Sequence, residues 1–345
     1  MVTIKEIAQA VGISPSTVSI VLGGKAAQRK ISEQTQQKIF ETATKLGYRP
    51  NIAARSLRGG AGADELQVAM FWANDFRATM MVRFLDGLRT MMEDTGRRIR
   101  LVVYPYNNDS LKNMRTLTTA SDCHAAIICN ASYADLAFLQ DNKLAIPVVL
   151  YNRTCPGYCS VNVDDAHMGA LAARALADQG CRTAAILSGP PVFEGMEVRV
   201  HGFQLEGRAH DMTVENVRYC DNSMAGGHDA TRRRLEKDWK AQLPDGLFCG
   251  SAMIAHGALR AFHEAGLPLD QQPRVVAIGN GTEEQDVYSV PSLSVVNMPM
   301  EDMAADCLRL LLDVIAGQIE PDTSRMLAPW YIARESCGAM KEISG

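Results

Sequence analysis

No apolar run in this 345-residue chain approaches the ~18 residues that a membrane-crossing helix needs. The first residues are polar and show no signal-peptide pattern, so the expected compartment is the cytoplasm, beside the nucleoid of a bacterial cell. Paired-cysteine motifs are missing too. The nine cysteines contain no C-x-x-C, and the nearest two, Cys155 and Cys159, are poorly spaced for zinc or redox work. Free buried thiols in a reducing compartment are the expectation. The signatures G-x-S-x-G, the P-loop and G-x-G-x-x-G after a strand do not occur, which removes the common motif-borne enzyme readings. His124, His167 and His201 are scattered, so neither a metal nor a cofactor is expected. A uniform positive charge is also absent, since the formal net charge is -4.

What is present is uneven. Residues 1–60 carry nine Lys/Arg against three Asp/Glu, whereas the rest carries 26 against 36. A basic head on an acidic body favours head-first attraction to phosphates. Hydrophobic residues make up 47% of the chain, enough for two or three compact units with sizeable cores.

The head opens with IKEIAQAVGISPSTVSIVLGG, residues 4–24. Ile4, Ile7, Ala8 and Val11 recur at helical spacing. Gly12 stands where a helix end wants a left-handed residue, Ser14 caps the next helix, and Pro15 fits its first turn. Val18, Val21 and Leu22 form the inner face of that second helix, leaving Ser14, Ser16, Thr17 and Ser19 free to face outward. Small Ala8, the Gly12 turn and Val18 in the angle make the pattern of a DNA-binding helix-turn-helix, although an ordinary helical hairpin would share its core. Ser32 caps a third helix whose buried stripe is Ile39, Phe40, Ala43 and Leu46, ending at Gly47. The basic loop Lys25–Lys30 suits either phosphate or solvent.

YRPNIAARSLRGG, residues 48–60, is the second informative stretch. Asn51 can cap a helix over about 52–58, far shorter than the ~12–15 residues an isolated helix needs in water. Arg55 and Arg58 suit phosphates. Leu57, with little local core to join, suits a minor-groove wedge; a plain linker is the alternative. From Leu66 onward, strand-length apolar runs alternate with helical stretches. The runs are QVAMFW, IRLVVY, AAIIC, PVVLY, TAAILS, VENVRYC, GLFCG and RVVAIG, then 292–296 and a strand-like 326–332. This alternation predicts two parallel-sheet α/β lobes with a cleft where their strand ends face one another.

The segments TIKEIAQAVGISPSTVS, LGYRPNIAARSL, LSGP with VRVHGF, and IARES together resemble the lactose-repressor (LacI/GalR) family of bacterial transcription regulators over nearly the whole chain. The resemblance implies an α/β protein with an all-α helix-turn-helix head and a two-lobed sensor like the periplasmic binding proteins. It implies a homodimer on palindromic double-stranded operator DNA, repression as the output, and a small molecule, a sugar or related metabolite, between the lobes. The implied divisions are a head at 1–49, a hinge helix and linker at 50–63 and a sensor at 64–345. Lobe 1 would take about 64–161 plus 297–323, and lobe 2 about 164–291 plus 324–345.

Carried over residue by residue, Ser14, Ser16, Thr17 and Ser19 fall on the recognition helix, with Pro15 in its first turn, and Ile4 of the first helix joins them as a DNA-binding position. Thr3 and Tyr48 fall on backbone-gripping positions. Leu57 falls on the intercalating hinge leucine, with Asn51, Arg55 and Arg58 beside it. Ile20 replaces a frequent arginine; it cannot donate a hydrogen bond but can touch a thymine methyl, so the operator should differ there. In the sensor, Phe76, Asp164 and Arg199 fall on ligand positions, although Asp164 and Arg199 would also suit a structural ion pair. Ser251, Asn280 and Asn222 depart from the usual asparagine, aspartate and aromatic. Losing acidic groups and a stacking ring argues against a common sugar. The rival readings are a binding protein without DNA work, an enzyme on the α/β lobes, and a regulator that has lost effector control. The basic head weighs against the first and the missing motifs against the second.

Overall fold

The computed structural model describes residues 4–22, 31–46, 65–119, 123–142, 144, 146–320 and 322–338. The head is three helices, α1 (Ile4–Val11), α2 (Pro15–Leu22) and α3 (Glu33–Lys45). Its core is Ile7, Ala8, Val11, Val18, Val21, Ile39 and Ala43, all buried. Gly12 takes φ +73°, and its N–H donates to Ala8 O at 2.9 Å, the left-handed helix end expected of it. Ser14 Oγ accepts the Thr17 N–H at 3.2 Å, and Ser32 Oγ accepts the Thr35 N–H at 3.3 Å, so both predicted caps form. Leu46 departs from the expected stripe. It lies in the turn just past α3, clear of the core that α1 and α2 cover, and is 39% exposed.

The body holds two sheets. The first contains β1 (Glu65–Ala73), β2 (Arg98–Tyr106), β3 (Ala125–Cys129), β4 (Val148–Tyr151), β5 (Cys159–Val163) and β12 (Ser324–Leu327), in the order β12-β5-β4-β3-β1-β2, all parallel. The second contains β6 (Thr183–Ser188), β7 (Thr213–Val214), β8 (Arg218–Tyr219), β9 (Gly246–Cys249), β10 (Arg274–Gly279), β11 (Ser294–Asn297) and β13 (Trp330–Ile332). Its order is β13-β11-β10-β9-β6-β7, with β8 also beside β6; only β13 runs antiparallel. The strands read as unbroken apolar runs because both faces are covered: Val68–Ala73, Ala125–Cys129 and Val148–Tyr151 are buried at every position.

The covering helices are α4 (Met81–Asp94), α5 (Arg115–Thr119), α6 (Tyr133–Asp141) and α12 (Met300–Ala316) on the first lobe. The second lobe carries α7 (Asp165–Asp178), α8 (Glu194–Ala209), α9 (Met224–Glu236), α10 (Ala252–Glu264) and the short α11 (Glu283–Tyr288). α7 and α8 pack backbone to backbone. A Cβ on Gly169 would stand 1.9 Å from Arg199 O, and one on Gly202 would stand 2.3 Å from Ala166 O.

The chain passes from one lobe to the other three times: after β5, after β11, and between β12 and β13. The last crossing corrects the expected division. Residues 324–327 belong to the first lobe, where Ser324 pairs with Ser160 and Leu327 with Val163. The single strand expected over 326–332 is therefore two strands in different sheets. Pro329 stands between them, unable to donate a ladder hydrogen bond. VENVRYC likewise divides into β7 and β8. The sequence reading did not anticipate β5 or α11.

Candidate functional site

Two surfaces carry the predicted residues. On the head, the core face of α2 is Val18 and Val21, so Ser16 and Ser19 are turned to solvent while Thr17 and Ile20 are half-buried. Ser14 Oγ lies 2.9 Å from Ser16 Oγ and 2.8 Å from Thr17 Oγ1, which gathers three hydroxyls at the start of α2, where exposed Pro15 is the first residue. Backbone N–H groups at such an end also favour anionic oxygens. Ile4 instead packs against the head core. Thr3, Tyr48, Asn51, Arg55, Leu57 and Arg58 lie outside the described residues.

The second surface is a cleft between the lobes. In the first sheet, β2 lies on one side of β1 and β3 to β5 on the other; in the second, β6 separates β7 and β8 from β9 to β11 in the same way. Such reversals open a crevice beyond the carboxyl ends of the strands. Phe76 and Arg77 follow β1, Asn130 follows β3, and Asn152 and Arg153 follow β4. Facing them, Phe193 and Arg199 come after β6, Asn222 after β8 and Asn280 after β10. The space between measures about 380 Å³, a figure that includes volume open to solvent. Asn130 (φ 63°) and Asn152 (φ 50°) hold left-handed turns at its rim, a conformation asparagine tolerates better than most residues.

Three guanidinium groups dominate the electrostatics. Arg77 is buried and donates from Nε and Nη2 to the Asp75 carboxylate, at 2.6 Å for the shortest contact; Nη2 also reaches Asn108 Oδ1 at 3.1 Å. Burial would raise the Asp75 pKa, but the hydrogen bonds and charge of Arg77 prevail and hold it below the usual carboxylate value. Arg199 Nε donates to Asp165 Oδ1 at 2.6 Å. Arg153 finds only carbonyls, donating from Nε to Ala131 O at 2.6 Å and from Nη1 to Asn152 O. Burial first, then repulsion from Arg77, pushes its pKa down to about 9. All three surround one ring: the guanidinium carbons of Arg153, Arg199 and Arg77 lie 3.6, 5.6 and 6.0 Å from the Phe193 centroid.

The cleft thus brings together four of the six predicted effector residues: Phe76, Arg199, Asn222 and Asn280. Ser251 stands one step behind. It is buried, caps α10 by accepting the Ile254 N–H, and donates to Asn222 Oδ1 at 2.6 Å. Asp164 is placed differently. It is exposed and caps α7, accepting the His167 N–H at 2.9 Å, while Asp165, one position along and turned toward α8, takes Arg199. Sequence reading missed Arg77, Asn130, Asn152, Arg153 and Phe193. The available signal was a polar residue placed directly after an apolar strand run, as in PVVLYNR.

Among the described residues no group of His, Cys, Asp and Glu could hold a metal, and no helix is long and apolar enough to cross a membrane. All nine cysteines are free and buried.

Comparison with known proteins places both surfaces in context. Residues 3–51 match the bacterial regulatory proteins of the lacI family, and residues 173–337 match the periplasmic binding protein-like domain. The HTH-type transcriptional repressor PurR of Proteus mirabilis is 25% identical over 342 residues, covering 97% of each chain. The crystal structure of a LacI family transcription regulator from Clostridium acetobutylicum is 30% identical, with a TM-score of 0.74 over 78% of this chain and 99% of that one. The lac repressor dimer bound to operator and the anti-inducer ONPF shares the fold, with a TM-score of 0.68 at 18% identity over 98% of this chain and 99% of that one.

Proposed function

The chain belongs to the LacI family of bacterial regulatory proteins, and from that premise we propose a cytoplasmic transcriptional repressor that grips a palindromic operator as a homodimer and answers to a small molecule in its cleft. The observation that carries the reading is the meeting of strand ends from both sheets around one polar cleft, in a chain whose head presents a hydroxyl-lined helix. It acts by binding, not by a reaction.

On DNA, α2 enters the major groove. Ser14, Ser16, Thr17 and Ser19 bond phosphates and base edges, and Ile20 touches an apolar edge such as a thymine methyl. Thr3 and Tyr48 grip the backbone. Leu57 wedges into the minor groove, with Asn51, Arg55 and Arg58 on flanking phosphates. The lac repressor dimer sits on its operator as a pair, and two heads spaced by two bodies are the natural readers of a palindrome.

In the cleft, Phe76, Arg199, Asn222 and Asn280 contact the effector, and Ser251 fixes the Asn222 amide. Transmission runs through Arg83. This α4 residue donates from Nη1 to Gly279 O at 3.1 Å and to Gly281 O at 3.3 Å, the two carbonyls flanking Asn280, while Nε holds Glu301 Oε1 at 2.5 Å. A ligand that moves the Asn280 loop therefore biases the angle between the lobes. The expected coupling to operator affinity is ~1–3 kcal/mol.

The test is selection of bound sequences from a random DNA library by the full-length chain, followed by gel shifts of the selected site. A palindromic consensus is expected, with affinity that falls steeply as salt rises and is lost in Leu57→Ala. Binding without sequence preference, or a Leu57→Ala variant that holds the site as tightly, would overturn the reading.

A further inference from the structure

The guanidinium groups of the cleft are incompletely used. Arg77 Nη1, Arg153 Nη2 and Arg199 Nη2 are buried and have no hydrogen-bond partner, and the same is true of Asn130 Nδ2. Every one of these atoms can only donate. The amides across the cleft are biased the same way. Asn222 Oδ1 already accepts from Ser251, and Asn280 Oδ1 accepts the Ala252 N–H at 3.2 Å, which leaves their NH₂ ends uncommitted. Charge points in the same direction. Asp75 pairs with Arg77 and Asp165 with Arg199, but buried Arg153 hydrogen-bonds only carbonyls and feels Asp165 at a distance, so three guanidinium groups share two carboxylates.

Buried donors left unpaired cost free energy, and a buried unpaired cation costs more. A neutral polyol, whose hydroxyls both donate and accept, would satisfy the donors but leave the charge. An oxyanion satisfies both, because a planar guanidinium fork matches its oxygens. We propose that the effector is an organic anion, a small polar molecule whose carboxylate or phosphate is held by Arg77, Arg153 and Arg199 against the Phe193 ring. The proposal rests on the reading of this cleft as the effector site and names the chemical class that fills it. It also gives a reason for the unusual asparagines: aspartate at Asn280 would repel such a ligand.

The experiment is calorimetric titration and thermal melting of the full-length protein with matched probes: D-glucose, D-glucuronate, D-glucose 6-phosphate, and inorganic phosphate against chloride at equal ionic strength. The charged members should raise the melting temperature and bind at least tenfold more tightly than D-glucose, and the better of the two charged sugars identifies carboxylate or phosphate as the group. In Arg153→Met the response to oxyanions should vanish, and the shift that each probe produces is read against that variant's own ligand-free melting temperature. If Arg153→Met fails to fold, Asn130→Ala serves as the second variant, with a predicted loss of oxyanion affinity. Binding of D-glucose as tight as that of its charged partners, or oxyanion responses unchanged in the variants, overturns the proposal and leaves the effector reading intact. A protein that responds to no probe, neutral or charged, overturns both.

Discussion

Asp165 and Arg199 show how much one residue of helical phase decides. Both Asp164 and Asp165 stand at the start of α7, and from sequence either could face the cleft arginine. The helix begins at 165, so the residue before it folds its carboxylate back on its own first turn, while the next is carried round toward α8. Asp165→Asn should leave a buried guanidinium short of its counter-charge and cost about 3 kcal/mol, read as a lower denaturant midpoint; Asp164→Asn, still a good cap, should cost a few tenths of that. Ile20 is the other residue whose identity makes a specific claim. Ile20→Arg should move the selected operator toward guanine at the base pair it faces, with affinity for the original site weakened about tenfold or more, as measured by competition gel shift. Buried cysteines complete the picture at this scale. Burial lifts the Cys181 and Cys220 thiols to about 11, so native-state alkylation should be slow.

Elements were legible in proportion to their length and periodicity. The three head helices, Gly12 and both serine caps are visible in the sequence because each depends on neighbours within one or two turns. The fully buried strands are visible because a sheet covered on both faces must be apolar throughout. The two-residue β7 and β8 were not separable, since pairing with β6, not local pattern, defines them. Helix-to-helix charge contacts were equally hidden. His228 of α9 reaches Glu264 of α10 at 2.8 Å and its neighbour Asp229 at 3.1 Å, and the Glu264 hydrogen bond, with that from Asp229, raises its pKa above the ordinary histidine value. A raised folded-state pKa means stability fully present below about 6.5 and lost as pH climbs through the raised value. The melting temperature of the native chain should therefore exceed that of His228→Gln most at about pH 6, and the gap should close as the pH climbs through the raised value.

At the scale of the whole molecule, the two-lobed plan was readable, but the cleft was only partly so. Phe76, Arg199, Asn222 and Asn280 could be placed only through the family resemblance. Arg77, Asn130, Arg153 and Phe193 arrive from separate strand ends, and nothing in their local sequence says that they share one space. Arg83 is the same kind of residue: ordinary on its helix, yet bonded to backbone carbonyls of the opposite lobe. Arg83→Met should speed amide hydrogen exchange at residues 279–282 several-fold and blunt the change in operator affinity that an effector produces; exchange left as it was would separate the lobes' coupling from this side chain.

The three crossings also dictate the order in which the protein can be finished. The first sheet lacks its outer strand, and α4 its neighbour α12, until the ribosome has made residues 300–327, after all of β6 to β11. Until then the β5 edge stands open and the apolar flank awaiting α12 stays bare. Neither half can be cut out as a continuous piece of chain, and a premature stop near residue 300 spoils the part made first as well as the part made last.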